Sequence, residues 1–133
     1  MIRNLMKTQS AMSERAEQMA LVKWMSYHPI IKDLFCKNDN EGKRTPLQGL
    51  NSKRMGLKRG VPDLFIYFPT KLHHGLWIEV KCAKKYSPSQ MQTATWIAQQ
   101  AFIDTVRSFG YAAEFCYGWI DGKRIIEEYL LDI

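Results

Sequence analysis

Cysteine is scarce in this chain of 133 residues, and its three copies form no recognisable pattern. Cys36, Cys82 and Cys116 are widely separated and odd in number, which argues against a disulfide framework and against a C-x-x-C zinc site. A free cysteine that is buried behaves as a small apolar side chain. We therefore expect three reduced, structural thiols and a reducing compartment such as the cytoplasm.

Long apolar runs are also missing. No stretch approaches the roughly 18 residues that a membrane-spanning helix needs, so we expect no membrane contact. Residues 1–7 lack the apolar centre of a secretory signal. The hydrophobic content of 46% is that of a globular protein, and no internal repeat or low-complexity linker interrupts the chain. We predict one domain over residues 1–133, with residues 1–12 as a candidate loose arm.

Acidic residues are absent from the segment 43–59, which nevertheless holds six basic residues. These are Lys43, Arg44, Lys53, Arg54, Lys58 and Arg59. The whole chain has a net charge of +6, so the segment alone carries as much positive charge as the chain has in excess. A basic run is often only a solvated surface, but a carboxylate site that acts on DNA needs nearby cations to hold phosphates. We predict DNA contacts for these six residues and for Lys84 and Lys85.

Apolar residues recur at helical spacing in some segments, whereas β-branched and aromatic residues cluster in others. In chain order the predicted elements are a helix capped by Ser13, a strand at 34–37, a helix at 45–55, strands at 61–68 and 76–82, a helix at 91–109, a strand at 111–119 and a short helix around 125–130. Thr45 and Ser87 each precede a glutamine by three residues, the spacing of a capping box. Asp121-Gly122 is predicted to be a turn. The order favours an α/β fold in which helices pack on one mixed sheet.

Three charged residues stand in the two strands of the predicted hairpin. Asp63 follows Gly60-Val61-Pro62 at the start of the first strand, and the second strand contains Glu79 and Lys81. Because side chains alternate along a strand, Glu79 and Lys81 project from the same face, roughly 6.6–6.8 Å apart. The neighbouring residues are strongly apolar, as in central strands, where an unpaired charge is unfavourable.

Two carboxylates from paired strands can share a hard cation. Such a cation can activate a water and polarise a phosphate, and Lys81 could orient that water or balance charge in the transition state. Taken alone, Glu79-x-Lys81 fits an exposed ion pair and Asp63 fits a turn. Only the joint pattern favours chemistry, and it predicts a metal-dependent nuclease.

These residues resemble the PD-(D/E)xK nuclease superfamily, and within it the chain is similar to the VRR-NUC family, the virus-type replication-repair nucleases. The matching parts are Glu17 on the first helix, the polar loop 38–42, the basic segment 53–59, Gly60–Leu64, Ile78–Lys81 and Ser87–Gln90. The match extends over roughly residues 14–118. The resemblance implies a restriction-endonuclease-like core with a mixed central sheet flanked by helices.

The resemblance also implies roles for residues in both strands of the hairpin. Asp63 and Glu79 match the metal ligands of the family, with Mg²⁺ as the cofactor and Mn²⁺ as a substitute. The backbone carbonyl of Val80 would complete the metal site. Lys81 matches the catalytic lysine.

Two further positions carry an implied role with an alternative beside it. Gln90 matches a glutamine that lies near the active site of the family, although its place equally fits a helix cap. Glu17 matches a glutamate on a helix that extends the metal site. Glu14 is the competing candidate, and we favour Glu17 because it borders the buried stripe of its helix.

The chain contains only the nuclease module, so the resemblance is to stand-alone, often phage-encoded members, which would act in the host cytoplasm. It implies a homodimer that cuts branched DNA such as four-way junctions, and we expect the long helix or the third strong strand to supply the dimer surface. One alternative is a non-catalytic nucleic-acid-binding module, but such a relic should have lost Asp63, Glu79 or Lys81. Another is a sequence-specific restriction-type endonuclease, for which no added recognition region is evident.

Overall fold

The computed structural model describes residues 11–38 and 45–133. Its helices and strands are, in chain order, α1 (Glu14–Ser26), β1 (Phe35–Lys37), α2 (Pro46–Arg54), β2 (Leu64–Ile66), β3 (Leu76–Lys81), α3 (Ala94–Ser108), β4 (Ala112–Tyr117) and α4 (Trp119–Tyr129). Short 3₁₀ turns lie at Gln90–Gln92 and Leu130–Asp132. Most of the predicted arm lies outside the described residues. Within them, no helix combines the length and apolarity needed to cross a bilayer.

The strands form one four-stranded sheet in the order β1-β2-β3-β4. The first three strands are antiparallel neighbours, which confirms the predicted hairpin. β4 lies parallel to β3, and the long connection between these two strands contains α3, as a parallel crossover requires. The predicted α/β fold with a mixed sheet is therefore confirmed.

The alternation of side chains along β3 divides the two faces of the sheet. Leu76, Ile78 and Val80 belong to the main core, together with Leu21 of α1 and Ile126 of α4. The intervening residues point to the other face, where α3 packs: the Trp77 ring meets Phe102 edge to face. Glu79 and Lys81 share this second face, so one strand contributes apolar residues to the core and charged residues to the α3 side.

The predicted helix starts are confirmed for the first two helices. The Ser13 hydroxyl accepts a hydrogen bond from the Ala16 N–H at 3.1 Å and caps α1. At α2, Gln48 N–H donates to the Thr45 hydroxyl at 3.1 Å, and Thr45 N–H donates to the Gln48 side chain at 3.0 Å. These reciprocal bonds form the capping box that the sequence indicates.

Two strands are shorter than predicted. The strand predicted at 61–68 spans only Leu64–Ile66, and Pro62, which precedes it, has no N–H to donate to a sheet. The strand predicted at 111–119 ends at Tyr117, because Gly118 turns the chain with a φ of 89° and Trp119 begins α4. A positive φ is readily adopted only by glycine and interrupts the extended backbone.

The last two helices also differ from the prediction. The helix predicted at 91–109 starts instead at Ala94, where the Thr93 hydroxyl accepts from Trp96 N–H at 3.3 Å. The predicted turn at Asp121-Gly122 is wrong, because both residues lie inside α4. A Cβ at Gly122 would lie 2.8 Å from a methyl group of Leu21. Glycine is therefore present here for close helix packing and not for a turn.

Candidate active site

A cavity of about 200 Å³ opens at the end of β3. It is lined by Glu14 and Gln18 of α1, Gly60, Val61 and Asp63 before β2, Glu79, Val80 and Lys81 of β3, and Gln99 of α3. The hairpin register brings the beginning of β2 beside the end of β3. Residues from four separate segments therefore converge on one small, polar space.

Asp63 is fixed to the strand opposite it. Its carboxylate Oδ2 accepts a hydrogen bond from the Val80 N–H at 2.8 Å, and its backbone carbonyl accepts from the Asn38 N–H at 2.8 Å. The β2–β3 pairing ends with Leu64 opposite Ile78, and the same register would place Pro62 opposite Val80. Because proline has no N–H, it cannot donate to the Val80 carbonyl. The Pro-Asp pair thus ends the ladder at the cavity.

Glu79 is almost completely buried, with 3% of its surface exposed. Burial, a hydrogen bond with the Asp63 carboxylate and the negative charge of Asp63 raise the pKa of Glu79 to about 10, against the opposing effect of Lys81. Two carboxyl groups in contact, one of them buried, repel each other when both are ionised, and Lys81 offsets this repulsion only in part. In the absence of a cation, the pair therefore retains a proton at neutral pH.

Lys81 is held on several sides. Its Nζ donates to Gln99 Oε1 at 2.8 Å and lies 4.0 Å from Glu14 Oε1. The same ammonium lies 4.4 Å from the ring centroid of Trp96, and only 9% of the side chain is exposed. A long, flexible cation is thus placed at the wall of the cavity, close to the carboxyl pair.

This arrangement can be compared with known proteins. A family model described as the VRR-NUC domain matches residues 7–119. The chain belongs to the VRR-NUC family. A solved structure described as a VRR_NUC domain protein has 23% sequence identity and a TM-score of 0.76, over 93% of this chain and 93% of that one, which shows the same fold. No curated protein matches. VRR-NUC proteins are a nuclease family with the PD-(D/E)xK-like fold.

The donors at this VRR-NUC site suit a hard divalent cation. Asp63 and Glu79 contribute carboxyl oxygens in direct contact, and Val80 lines the same cavity. Oxygen donors of this kind are the ligands that Mg²⁺ and Mn²⁺ prefer. Within residues 11–38 and 45–133, no three acidic, histidine or cysteine side chains converge to bind a metal. A cation here would therefore depend on two carboxylates and a carbonyl.

The structure brings Gln99, not Gln90, to the cavity. Gln90 is exposed, and its side-chain oxygen accepts from the Ser87 N–H at 2.8 Å. Its own N–H donates to the Ser87 hydroxyl at 3.3 Å, so Gln90 makes the capping contacts that were the alternative to a role at the site. Gln99 was missed although it lies inside the predicted helix, because helical periodicity alone does not show which residue faces the cavity. The signal that could have identified Gln99 is its spacing from Trp96 along one helix face.

The structure also differs from the prediction for the two glutamates of α1. Glu17 is buried, but its carboxylate lies against Gly118, and it is not among the residues that line the cavity. Glu14, the competing candidate, lines the cavity and approaches Lys81. Glu17 was favoured because it borders the buried stripe of α1. The main core also covers that side of the helix, so burial there does not indicate the cavity. The structure therefore does not support Glu17 as a metal ligand.

The predicted DNA-binding residues that the structure describes are exposed. They are Lys53, Arg54, Lys58, Arg59, Lys84 and Lys85, while Lys43 and Arg44 lie outside the described residues. A groove of about 350 Å³, here called the basic groove, is lined by Lys53, Leu57, Lys58, Arg59 and Gly60. Gly60 also lines the carboxylate cavity. The basic groove and the cavity therefore share this glycine in their walls.

Proposed function

We propose that this VRR-NUC protein is a divalent-metal-dependent endodeoxyribonuclease that hydrolyses phosphodiester bonds. The observation that carries the proposal is the contact between the half-buried Asp63 and the buried Glu79 carboxyl groups beside Lys81. The two groups repel each other when both are ionised, so the fully charged pair is unfavourable without a metal ion. A divalent cation would turn this unfavourable arrangement into a binding site.

Asp63, Glu79 and the Val80 carbonyl would hold the cation, with Mg²⁺ as the expected ion and Mn²⁺ as a substitute. When bound, the cation supplies an activated water and polarises the phosphate. Lys81 places its ammonium at the same wall, where it can stabilise negative charge that develops on the phosphate. Gln99 restrains the ammonium, and Glu14 Oε1 lies 4.0 Å from it.

DNA is the proposed substrate, and the basic groove supports this choice. Its lysine and arginine side chains are exposed, as residues that bind a phosphate backbone must be. The groove and the cavity share Gly60 in their walls, so a strand bound in the groove would lie next to the site of the carboxyl pair. The three cysteines are all unpaired, which supports a reducing compartment such as the cytoplasm of a host cell.

We further propose that the substrate is branched DNA, such as a four-way junction, and that the protein acts as a homodimer. Two sites related by a twofold axis would cut two strands of a nearly twofold junction symmetrically. Sedimentation at micromolar concentration should give a dimer, and a monomer throughout this range would contradict this part of the proposal.

Cleavage assays on a panel of four-way, fork, flap and linear DNA test the proposal. With Mg²⁺ or Mn²⁺ the wild-type protein should cut, and a chelator should abolish cutting. Lys81→Ala should abolish cutting while junction binding remains, and Asp63→Asn should lose both metal binding and activity.

Binding without cutting by the wild-type protein would indicate a non-catalytic module. Cuts confined to one sequence in a random duplex would indicate a restriction-type enzyme.

A further inference from the structure

We propose that Trp96 is a positioning residue for Lys81, so that an aromatic face, together with Gln99, fixes the ammonium at the cavity. This inference rests on the proposed nuclease function. Trp96 lies outside the matched motifs. Its place in the structure differs from that of an ordinary core tryptophan, because a buried cation lies over its ring.

The geometry of the contact is that of a cation–π interaction. Lys81 Nζ lies 4.4 Å from the Trp96 ring centroid, within the 6 Å range of this interaction. Trp96 is 7% exposed and the Lys81 side chain 9%. Cation–π contacts are strongest when water is excluded, so this contact belongs to the stronger group.

Trp96 and Gln99 contact the same ammonium from one helix. They lie three residues apart on α3, and side chains at that spacing share a helix face. Gln99 Oε1 accepts one of the three N–H donors of Lys81 at 2.8 Å, while Glu14 Oε1 at 4.0 Å is beyond hydrogen-bond length. The indole face holds the charge without a conventional hydrogen bond. The remaining donors are therefore left for a phosphate in the cavity.

The tryptophan is itself fixed in place. Its ring stacks on Phe115 of β4 with centroids 5.0 Å apart, and Tyr86 packs on it at 5.0 Å. The Tyr86 hydroxyl accepts from the N–H of Cys82, the residue after Lys81. Because its packing neighbours lie on β4 and next to β3, Trp96 cannot move far relative to Lys81. This rigidity is what a positioning residue needs.

Phe115 provides a matched control for a purely structural role. It is the other aromatic ring beneath Lys81, but its centroid is 5.9 Å from Nζ. Phe115→Leu therefore removes aromatic packing and leaves the nearer ring in place. Trp96→Leu removes the nearer ring and keeps an apolar side chain, and Trp96→Phe keeps a smaller aromatic face.

The experiment measures kcat and KM for DNA cleavage with Mg²⁺ in these three variants, with thermal unfolding beside each. Trp96→Leu should lower kcat by about tenfold or more and leave KM within about twofold. Trp96→Phe should recover most of the loss, and Phe115→Leu should lower kcat by less than about threefold. Independently of activity, the NMR signals of the Lys81 ε-CH₂ group should show a ring-current shift that Trp96→Leu removes and Phe115→Leu retains.

Equal losses of kcat in Trp96→Leu and Phe115→Leu would overturn the inference, as would a Trp96→Phe variant no better than Trp96→Leu. If Trp96→Leu does not fold, the ring-current shift of the Lys81 ε-CH₂ group decides: it should fall in Trp96→Phe, which has a smaller ring, and persist in Phe115→Leu. A wild-type protein that cuts no DNA would refute the nuclease function and this role with it. A wild-type protein that cuts, with Trp96→Leu cutting equally well, would refute this role alone.

Discussion

The carboxylate cavity and the basic groove meet at Gly60, yet they hold their charges in opposite ways. In the cavity, Glu79 and Lys81 are buried, and each has defined partners. In the basic groove, Lys53 and Lys58 are exposed. The guanidinium of Arg59 donates a long hydrogen bond, 3.4 Å, to the Thr95 hydroxyl. One region fixes its charged groups, and the other presents them to solvent.

The difference follows from the tasks that we propose for the two regions. Groups that stabilise a transition state must already be oriented when the reaction occurs. Lysine and arginine residues that neutralise a phosphate backbone act mainly through the release of counterions, for which proximity is enough. Substitutions should therefore have steep effects in the cavity and graded effects in the basic groove.

The largest effect is expected where the two regions join, at Gly60. Its φ is 84°, and a Cβ there would lie 2.5 Å from the backbone C and O of Ala98 on α3. Gly60→Ala combines backbone strain with a collision against a helix that cannot yield, so we expect a loss of about 2 kcal/mol or more in the free energy of unfolding. Cutting should fall as well, because Gln99 follows Ala98 directly. Urea unfolding and cleavage assays measure both.

Two other glycines separate the strain from the collision. Gly56 has a φ of 101° but nothing within 4 Å of a Cβ, and Gly49 lies within helix α2 with the same open space. Gly56→Ala should be mildly destabilising, by about 1 kcal/mol, while Gly49→Ala should be neutral or stabilising. If Gly60→Ala unfolds no more easily than Gly56→Ala, the close contact with α3 is unimportant.

The same contrast explains what the sequence could predict. Asp63, Glu79 and Lys81 could be placed together because strand alternation has a fixed period and a hairpin sets the neighbours. The basic residues could be placed on the surface from charge alone. Both predictions depend on local rules, and for the residues that the structure describes it agrees with them in position.

Helix residues at the site were harder to assign because the packing of a helix decides which of its faces meets the sheet. Glu14 and Gln99 point into the cavity, whereas the sequence favoured Glu17 and Gln90. Glu14 and Glu17 lie three residues apart, so their side chains differ in direction by only about 60°. Burial alone does not identify the site either, since Glu17 is buried as well. The contact between Lys81 and Trp96 also depends on helix packing. The connection between β3 and β4 places α3 over β3, and this brings Trp96 to Lys81.

The contact between the Asp63 and Glu79 carboxyl groups should make the stability of the fold depend on pH. The pKa of Glu79 is raised from 4.5 to about 10, so between these values the metal-free folded protein holds a proton that the unfolded chain releases. Stability is therefore lost as the pH rises through this window. Glu79→Gln removes the ionisable group and keeps an N–H donor for Asp63. At pH 7 and without metal, we expect its melting temperature to exceed that of the wild type by roughly 3 °C or more.

The advantage of Glu79→Gln should disappear near pH 4, where the wild-type carboxyl group is protonated in both states. Added Mg²⁺ should raise the melting temperature of the wild type and leave the variant unchanged. Glu127→Gln is the matched control, since it alters an exposed glutamate on α4. A variant that melts below the wild type in metal-free buffer at pH 7 would show that Glu79 is not repelled by Asp63.

The smallest effects are expected in the basic groove. Lys53→Gln and Lys58→Gln each remove one exposed charge, so each should weaken DNA binding only a few-fold. Each should also reduce the slope of log K against log salt by about 1. At saturating DNA, kcat should not change, because neither side chain lines the cavity. Lys71→Gln, in the β2–β3 turn at the far end of the hairpin from Asp63, should leave both affinity and slope unchanged. An equal loss in Lys71→Gln would mean that DNA responds only to net charge.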